Sequence, residues 1–384
     1  MVKQILNTKI LITGGHLTPA LSILEEFRAR GYHNFVWIGV KYSQTFSIVK
    51  SAEYNEVRKY KIKFYSLNAG KLWMKWTRQT FFKALFNLIV IPLGFIQSFF
   101  ILILERPAIV VSFGGYIALP VIFSAWILRI PSVTHEQTIT TGFSNKLIAY
   151  FAKRIFVSWP ESLKQFQKEK AILTGNPVRN FILRPPTNKI NFDNNLPVIY
   201  FTGGNQGSNT INWRLFEILP RLLKEANVIH QTGHSTITND FEKAKHLSDN
   251  LPTELADRYI YFDNIFGPLI GEIYNKADLV VSRAGANTVN EIAILNKFAL
   301  LIPIPWSSHN EQQLNAEYLV KLGLAEILHQ KDNMVPNELY DAIMHSLKIG
   351  IELKRKGGQK KGQDDKPSNA SRLIIDEIEK LINN

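Results

Sequence analysis

Short apolar runs alternate with helix-length segments along most of the chain. In the first half these runs are rich in Val, Ile and Phe, and they lie at residues 9–13, 34–40, 108–112, 132–135 and 154–158. Runs of this kind are typical of buried parallel strands, and helix-length connections are typical of helices that cover both faces of the sheet. The first half therefore predicts a doubly wound α/β domain.

The second half repeats this plan, with strands predicted at residues 198–202, 228–232, 259–262, 279–282 and 299–304. A chain of 384 residues also exceeds the size at which one core usually stops growing. We predict an N-terminal domain over residues 1–178 and a C-terminal domain over residues 179–350. A mobile basic loop follows at 351–367, and a final amphipathic helix at 368–384 is expected to pack back on the first domain.

One apolar run, residues 84–104, has no charged residue and about the length of a bilayer span. A transmembrane helix is one interpretation, and one or two helices packed on the sheet with an exposed apolar end are the other. We favour the second interpretation, because a spanning helix would place strands of one parallel sheet on opposite sides of a membrane.

Positive charge is concentrated in the first half of the chain. Residues 1–180 carry 23 Lys and Arg against 8 Asp and Glu, whereas residues 181–384 carry 22 against 24. Between residues 58 and 83 the basic side chains occur without an acid, and bulky apolar side chains lie among them. This mixture favours an anionic lipid surface over a nucleic acid, while a solvated basic face is the alternative. The predicted membrane contacts are Trp73, Lys75, Trp76, Arg78, Phe81, Phe82 and Lys83.

The chain contains no cysteine, which excludes a disulfide framework and a cysteine-ligated metal and agrees with a reducing compartment. Residues 1–8 run directly into the first strand without an apolar leader, so no secretion is expected.

Each half opens with a strand that ends in a glycine turn. The first reads Thr13-Gly14-Gly15-His16, and the second reads Gly203-Gly204-Asn205-Gln206-Gly207-Ser208. Glycines at a strand-to-helix turn let backbone N–H groups approach a phosphate at the positive end of the helix. One such turn alone is also a simple tight connection. Two of them predict ligand binding beyond the carboxyl ends of the strands.

Further motifs follow in order along the chain: Phe113-Gly114-Gly115-Tyr116, His135-Glu136-Gln137, Gly175-Asn176-Pro177-Val178-Arg179, Arg283-Ala284-Gly285-Ala286-Asn287-Thr288-Val289-Asn290-Glu291 and Asn310-Glu311-Gln312-Gln313-Leu314-Asn315-Ala316. Together with the glycine turns, this series resembles the MurG family. The resemblance implies a GT-B fold of two Rossmann-like domains. It also implies transfer of N-acetylglucosamine from UDP-GlcNAc to an undecaprenyl-linked N-acetylmuramoyl-pentapeptide, at the cytoplasmic face of the plasma membrane.

The resemblance assigns a role to Glu291 as the carboxylate that binds both ribose hydroxyls of the donor. From the residues alone, Thr288 to Glu291 is also a capping box, in which the glutamate closes a helix start. The other residues matched to the donor site are Thr13, Gly14, Gly15, Arg179, Asn205, Gln206, Gly207, Asn212, Ala286, Asn287, Gln312 and Gln313.

On the acceptor side, His16 is the leading candidate for the general base, with His135 and Glu136 as its competitors or supports. An isolated histidine in a glycine turn is more often a hydrogen-bonding loop residue. The chain has no Asp-x-Asp pair, so we expect no metal and no cofactor besides the substrate. The expected chemistry is one inverting displacement, in which the 203–208 turn stabilises the departing diphosphate.

Some positions depart from the family pattern: Asn205 replaces a serine, Thr138 replaces an asparagine, and Leu11 and Ile12 replace glycines. These departures predict an altered phosphate loop, a lost sugar or acceptor contact and a tighter acceptor loop. Three other functions stay open, namely a UDP-sugar:diacylglycerol glycosyltransferase, a nucleotide-sugar epimerase of the same fold, and an inactive membrane-bound binding homologue.

Overall fold

The computed structural model describes residues 8–42, 50–70, 81–178, 180–183, 189–204, 207–233, 238–265, 267–307, 310–331, 335–356 and 370–383, with only the backbone described at 81–84, 86–88, 180 and 181. The chain forms two compact units, Met1–Arg179 with Asn369–Asn384, and Asn180–Ser368. Each unit contains its own parallel sheet covered by helices, which confirms the predicted α/β class.

The first unit contains a seven-stranded sheet in the order β3-β2-β1-β4-β5-β6-β7. Its strands are β1 (Ile10–Thr13), β2 (Phe35–Gly39), β3 (Lys63–Ser66), β4 (Ile109–Ser112), β5 (Ser132–Glu136), β6 (Arg154–Val157) and β7 (Ala171–Leu173). Its helices up to this point are α1 (Leu17–Ala29), α2 (Ala52–Lys59), α3 (Phe81–Glu105), α4 (Ala118–Ile127), α5 (Phe143–Phe151) and α6 (Pro160–Leu163). The central strands β1, β2, β4 and β5 are buried along their whole length, because helices cover both faces of the sheet.

The second unit contains a six-stranded sheet in the order β10-β9-β8-β11-β12-β13. Its strands are β8 (Val198–Thr202), β9 (Asn227–Gln231), β10 (Tyr259–Phe262), β11 (Leu279–Ser282), β12 (Ala299–Leu301) and β13 (Ala325–Ile327). The helices are α7 (Asn180–Leu183), α8 (Asn209–Leu222), α9 (Asp240–Asp249), α10 (Thr253–Ala256), α11 (Leu269–Lys276), α12 (Ala286–Leu295), α13 (Glu311–Lys321) and α14 (Pro336–Arg355).

The last helix, α15 (Ala370–Asn383), belongs to the first unit and packs against α1. It buries Ile374, Ile375 and Ile378 in the core of that unit. Arg30, at the end of α1, forms ion pairs with Asp376 and Glu379 of this helix, at 2.7 and 2.9 Å.

The apolar run at 84–104 forms most of one continuous helix, α3. The face toward the protein buries Ile101 and Leu102 and also carries small and polar residues: Gly94 and Ser98 are buried, and Gln97 Nε2 donates to the Ser66 carbonyl at 2.8 Å. The sequence predicted an exposed apolar end, but the exposed apolar residues run along the whole length of the helix. They are Leu85, Ile89, Leu93, Ile96, Phe100 and Leu104, which we call the α3 stripe. Among the described residues, no helix has the length and apolarity needed to cross a membrane.

The basic stretch at residues 58–83 is not one surface segment. Arg58 and Lys59 end α2, and Lys63 lies on strand β3. Lys63 Nζ is 2.6 Å from the buried Glu105 carboxylate, which also binds Lys9 at 3.0 Å. Part of the charge that the sequence attributed to a membrane surface is therefore neutralised by an acid at the far end of α3.

Candidate active site

The first glycine turn connects β1 to α1 at the carboxyl edge of the first sheet. Gly15 has a φ of +132°, and a Cβ on it would lie 2.3 Å from the Gly114 carbonyl oxygen. Only glycine lets the turn after β1 approach the turn after β4 so closely. Two of the motifs found in the sequence are therefore in backbone contact.

His16 is the N-cap residue of α1, and its Nδ1 lies 2.7 Å from the Phe113 carbonyl oxygen. A carbonyl oxygen only accepts, so Nδ1 carries the proton and donates it, and Nε2 carries the lone pair. Burial lowers the pKa of His16 below 6.5, although the Phe113 carbonyl and the Glu136 charge oppose this shift. The imidazole is therefore neutral at pH 7, as a general base must be.

Glu136 lies at the end of β5 and is almost fully buried. One carboxylate oxygen accepts from the Thr138 backbone N–H at 2.9 Å and from the Thr138 hydroxyl at 2.6 Å. The other accepts from Asn145 Nδ2 at 2.8 Å. Glu136 is thus bound by the protein itself, and it acts on His16 through its charge. Thr138, where the family has asparagine, serves this internal contact.

His135 is 2% exposed and holds β5 to the segment that follows β7. Its Nε2 lies 3.2 Å from the Gly175 carbonyl oxygen, so this nitrogen carries the proton. Its Nδ1 is buried without a hydrogen-bond partner among the described residues. Burial, and after it the charge of His16, lower the pKa of His135 to about 4. The three predicted catalytic residues therefore differ in their settings. His16 lies in the glycine turn, whereas His135 and Glu136 are buried at the end of β5 and bound by other parts of the protein.

Glu53 is a residue near the first turn that sequence reasoning missed. Its carboxylate accepts from the Trp37 indole N–H at 2.8 Å and from the Val40 backbone N–H at 3.0 Å. A Cβ on Gly14 would lie 1.6 Å from this carboxylate, so Gly14 leaves the space that Glu53 fills. Burial raises the pKa of Glu53, against the opposing effects of its two donors. No motif contains Glu53, and only its tertiary position connects it to the site.

Thr13 ends β1 directly before this turn and is fully buried. Its hydroxyl has no hydrogen-bond partner among the described residues. A buried, unsatisfied hydroxyl at the ligand-binding edge of a sheet is a polar group that a substrate or a water can satisfy.

In the second unit, the other glycine turn connects β8 to α8. Gly204 and Gly207 both have positive φ angles, and a Cβ on Gly207 would lie 2.0 Å from the Thr232 carbonyl oxygen. The turn therefore packs on the end of β9 at Gly207, where there is no room for a side chain. Helix α8 begins directly after it, and Ser208 is an N-cap whose side chain makes no capping bond. The first N–H groups of α8 thus face the turn, as at a phosphate site.

Arg283 belongs to the 283–291 motif, where the sequence predicted no role for it, and it lies beside this turn. Its Nε donates to the Ser208 hydroxyl oxygen at 2.9 Å, and its Nη1 donates to the Ile302 carbonyl at 2.9 Å. Burial, and after it the charge of Arg214, lower the pKa of Arg283 to about 10, so the guanidinium is still charged at pH 7. Both of these acceptors are neutral, which leaves a buried positive charge next to this glycine turn.

Asn212 is fully buried, and both ends of its amide bind the protein. Its Nδ2 donates to the Thr232 carbonyl at 2.7 Å and to Asp240 at 2.9 Å, and its Oδ1 lies 3.0 Å from His230 Nε2. The side chain of Asn212, which was predicted to contact the donor, thus ties α8 to β9 and α9.

Glu291 lies on α12, which begins at Ala286 after the N-cap Gly285 and has no side-chain cap. The capping box considered from the sequence is therefore not formed, because Thr288 is not the N-cap residue. Glu291 is half-buried, and its Oε2 accepts from the Tyr274 hydroxyl at 2.8 Å. Ala286 and Asn287 form the start of the same helix at the carboxyl edge of the second sheet.

Gln312 and Gln313 lie in the first turn of α13 and are both partly buried. Gln312 Oε1 accepts from the Ile304 backbone N–H at 3.0 Å, which ties the helix to the loop after β12. Gln313 Nε2 donates to Glu317 on its own helix at 2.9 Å.

Some predicted site residues lie outside the part of the chain that the structure describes. Arg179, Asn205, Gln206, Trp73, Lys75, Trp76 and Arg78 lie outside the described residues, and Phe81, Phe82 and Lys83 lie in the first turn of α3 with their side chains undescribed.

Comparison with known families gives matches in both units. Residues 13–157 match the Glycosyltransferase family 28 N-terminal domain, and residues 198–368 match the Glycosyltransferase family 28 C-terminal domain. A Clostridium kluyveri protein named UDP-N-acetylglucosamine–N-acetylmuramyl-(pentapeptide) pyrophosphoryl-undecaprenol N-acetylglucosamine transferase is 34% identical, over 87% of this chain and 90% of its own length. A Treponema denticola protein of the same name is also 34% identical, over 83% of this chain and 82% of its own.

Solved structures show the same fold at lower identity. The crystal structure of Acinetobacter baumannii MurG is 23% identical with a TM-score of 0.65, covering 97% of this chain and 99% of that one. The UDP-GlcNAc 2-epimerase of Neisseria meningitidis, bound to UDP-GlcNAc, is 13% identical with a TM-score of 0.62, covering 97% and 100%. The fold class is therefore GT-B, which transferases and epimerases share. The matches of the chain to both family 28 domains and to these near full-length relatives show that it belongs to the MurG family of hexosyltransferases.

Proposed function

We propose that this chain transfers N-acetylglucosamine from UDP-N-acetylglucosamine to the muramoyl 4-hydroxyl of undecaprenyl-pyrophosphoryl-N-acetylmuramoyl-pentapeptide. The observation that carries the proposal is the 34% identity, over most of both chains, to transferases whose names state this donor sugar and this acceptor. The positions of His16 and Glu291 support it, because they supply a neutral base in one unit and a carboxylate for the ribose in the other.

The mechanism is a single displacement with inversion. The acceptor 4-oxygen forms a bond to the anomeric carbon while the bond to UDP breaks, and the hydroxyl proton moves to Nε2 of His16. Negative charge grows on the departing diphosphate. The N–H groups at the start of α8 and the Arg283 guanidinium stabilise this charge.

Activity is expected to be undiminished in excess chelator. The chain has no Asp-x-Asp pair, and the N-terminus of α8 with Arg283 supplies the positive field that a metal would otherwise provide. The measurement is UDP release with EDTA present and after dialysis against EDTA. Loss of activity that Mg²⁺ or Mn²⁺ restores would contradict metal-independent chemistry.

The first unit has an apolar surface suited to a membrane. The α3 stripe repeats every three to four residues and extends over roughly 28 Å of helix at 1.5 Å per residue. On the neighbouring helices α4 and α5, Trp126, Phe143 and Tyr150 are also more than half exposed. A continuous exposed apolar stripe marks a surface that is covered in use.

Charge indicates an anionic lipid surface as the occupant. Arg106 follows α3, Arg129 follows α4, and Lys146 lies on α5, and all three are exposed. Apolar residues that enter the headgroup layer and cations that contact anionic lipids are the features of peripheral membrane proteins. The lipid-linked acceptor and the nucleotide-sugar donor meet at the cytoplasmic face of the plasma membrane, which is where we propose that the protein acts.

Replacing Ile96 and Phe100 by aspartate should release the protein from vesicles that contain anionic lipid. The change removes apolar burial and adds negative charge on the surface-facing side of α3, where both residues are more than half exposed. Sedimentation with vesicles measures binding, and a melting curve checks the fold.

The matched control is Val320→Asp, an exposed apolar residue on α13 in the second unit. Wild-type vesicle binding by the α3 variant would show that the stripe is not the membrane surface. In a parallel arm, Lys71, Lys75, Arg78 and Lys83 are changed to Glu. This change should also weaken vesicle binding, because it removes cations whose attraction to anionic lipid is screened by salt.

Incubation with UDP-GlcNAc alone tests the proposed function against the epimerase alternative. A transferase leaves the donor sugar intact without acceptor, because the attacking hydroxyl belongs to the acceptor. An epimerase converts the donor sugar without any lipid. NMR of the donor pool distinguishes the two, and appearance of a second sugar nucleotide would contradict the transferase assignment.

A further inference from the structure

Two fully buried tyrosines lie side by side beneath the candidate donor site. Tyr200 is on β8 and Tyr274 is on α11, with exposed fractions of 1% and 2%. Their rings meet edge to face, with centroids 5.5 Å apart and an interplanar angle of 83°. Such a contact fixes both rings, and therefore the direction of both hydroxyls.

Each hydroxyl supports a different part of the site. Tyr274 donates to Glu291 Oε2 at 2.8 Å. Tyr200 donates to Gln231 Oε1 at 2.9 Å, and Gln231 Nε2 donates to the Gly204 carbonyl at 3.1 Å. One tyrosine thus holds the carboxylate of α12, and the other holds, through one amide, the glycine turn before α8.

The hydrogen bonds of both tyrosine hydroxyls are costly to lose. A hydroxyl bonded to a carboxylate in a buried setting is a charge-assisted hydrogen bond, and an unpaired buried phenol would cost free energy. Neither tyrosine is exposed enough to touch a ligand, so neither contributes binding energy directly. Each can change ligand affinity only through the group that it holds.

We propose that Tyr200 and Tyr274 are positioning residues of the donor site, which fix the ribose-binding carboxylate and the diphosphate turn in one arrangement. The inference rests on the proposed function, in which Glu291 contacts the ribose and the start of α8, directly after the glycine turn, contacts the diphosphate. It assigns a different role to each tyrosine: Tyr274 positions the group that recognises the ribose, and Tyr200 positions the group that recognises the β-phosphate.

The test is calorimetric titration of the full-length variants Tyr274→Phe and Tyr200→Phe with UDP, 2′-deoxy-UDP and UMP. Tyr274→Phe should weaken UDP roughly tenfold and 2′-deoxy-UDP by a smaller factor, because UDP presents both ribose hydroxyls to the positioned carboxylate and 2′-deoxy-UDP presents only the 3′-hydroxyl. Tyr200→Phe should reduce the preference for UDP over UMP by a similar factor, with the ribose preference retained.

The matched control is Tyr259→Phe, which removes another buried hydroxyl, one that lies 2.8 Å from His230 Nδ1. This control should change neither preference. If Tyr274→Phe weakens UDP and 2′-deoxy-UDP equally, or weakens neither, the positioning role is refuted. Glu291→Ala tests the ribose role of Glu291 separately from the positioning role of Tyr274. If this variant keeps the preference for UDP over 2′-deoxy-UDP, the ribose role of Glu291 in the proposed function fails.

Discussion

Replacing His16 by alanine is expected to lower turnover by roughly 10²–10⁴-fold, the usual effect of removing a positioned general base. UDP affinity should stay unchanged, because His16 belongs to the first unit, whereas Glu291, Arg283 and the start of α8, which carry the proposed nucleotide contacts of the mechanism, belong to the second. The reason for choosing this histidine is its tautomer: the Phe113 carbonyl fixes the proton on Nδ1 and leaves the Nε2 lone pair for the acceptor hydroxyl.

The comparison variant is His135→Ala, since this histidine is buried with its Nε2 bonded to the Gly175 carbonyl. We expect it to lower thermal stability, through loss of a buried contact, more than it lowers turnover by the folded protein. If His16→Ala keeps turnover within a few-fold of wild type while His135→Ala does not, the base is His135.

The pH dependence follows from the same assignment. Burial lowers the pKa of His16 below 6.5, and the base is active only in its neutral form. The value of kcat/KM should therefore be independent of His16 titration at pH 7 and above, and should decline on the acid side as pH falls through that pKa. An acid limb with its midpoint above 6.5 would contradict the assignment, because the required pKa shift would have the opposite sign.

The second large effect is expected for Glu291→Ala, which should weaken UDP binding by about 1.5–3 kcal/mol, the scale of a hydrogen bond to a charged group. Helix α12 begins at Ala286 without a side-chain cap, so the substitution removes no capping bond. Calorimetric titration with UDP gives the affinity, and a melting curve gives the stability. Retained affinity with a lowered melting temperature would show that Glu291 serves only the fold.

The α/β architecture could be predicted because central parallel strands are continuous apolar runs. All ten strands predicted from such runs are present, with ends that differ by a few residues. Within the described residues, three strands were missed, namely β3, β7 and β13; they are three or four residues long and at least partly exposed, and each ends its sheet. These short strands carry too few apolar positions to stand out as runs, even where all of their residues are apolar, as in β7.

Which face of α3 is apolar and exposed could not be predicted. The run at 84–104 is apolar on all sides, so periodicity does not separate an inward face from an outward one. The structure resolves this through the few polar positions: Gln97 donates to the Ser66 carbonyl, and Ser98 is buried with its hydroxyl on the Gly94 carbonyl of its own helix, so the α3 stripe lies on the outside.

The motifs predicted which segments form the site, but the roles of single side chains depend on tertiary contacts. Glu136 belongs to a motif and Asn212 was matched to the donor site, yet the structure gives both of them internal partners. Glu53 and Tyr274 lie outside the motifs and still support Gly14 and Glu291. Sequence spacing cannot reveal such contacts, because the partners come from distant segments.

The most direct measurement of the central claim is transfer of labelled N-acetylglucosamine from UDP-GlcNAc to purified undecaprenyl-pyrophosphoryl-N-acetylmuramoyl-pentapeptide in anionic vesicles, beside vesicles that contain diacylglycerol as the only acceptor. The account predicts a labelled lipid-linked disaccharide, with one UDP released per sugar transferred and no product on diacylglycerol. The same assay with His16→Ala should show a loss of roughly 10²-fold or more. Label on diacylglycerol, or no transfer by a folded protein that binds UDP, would contradict it.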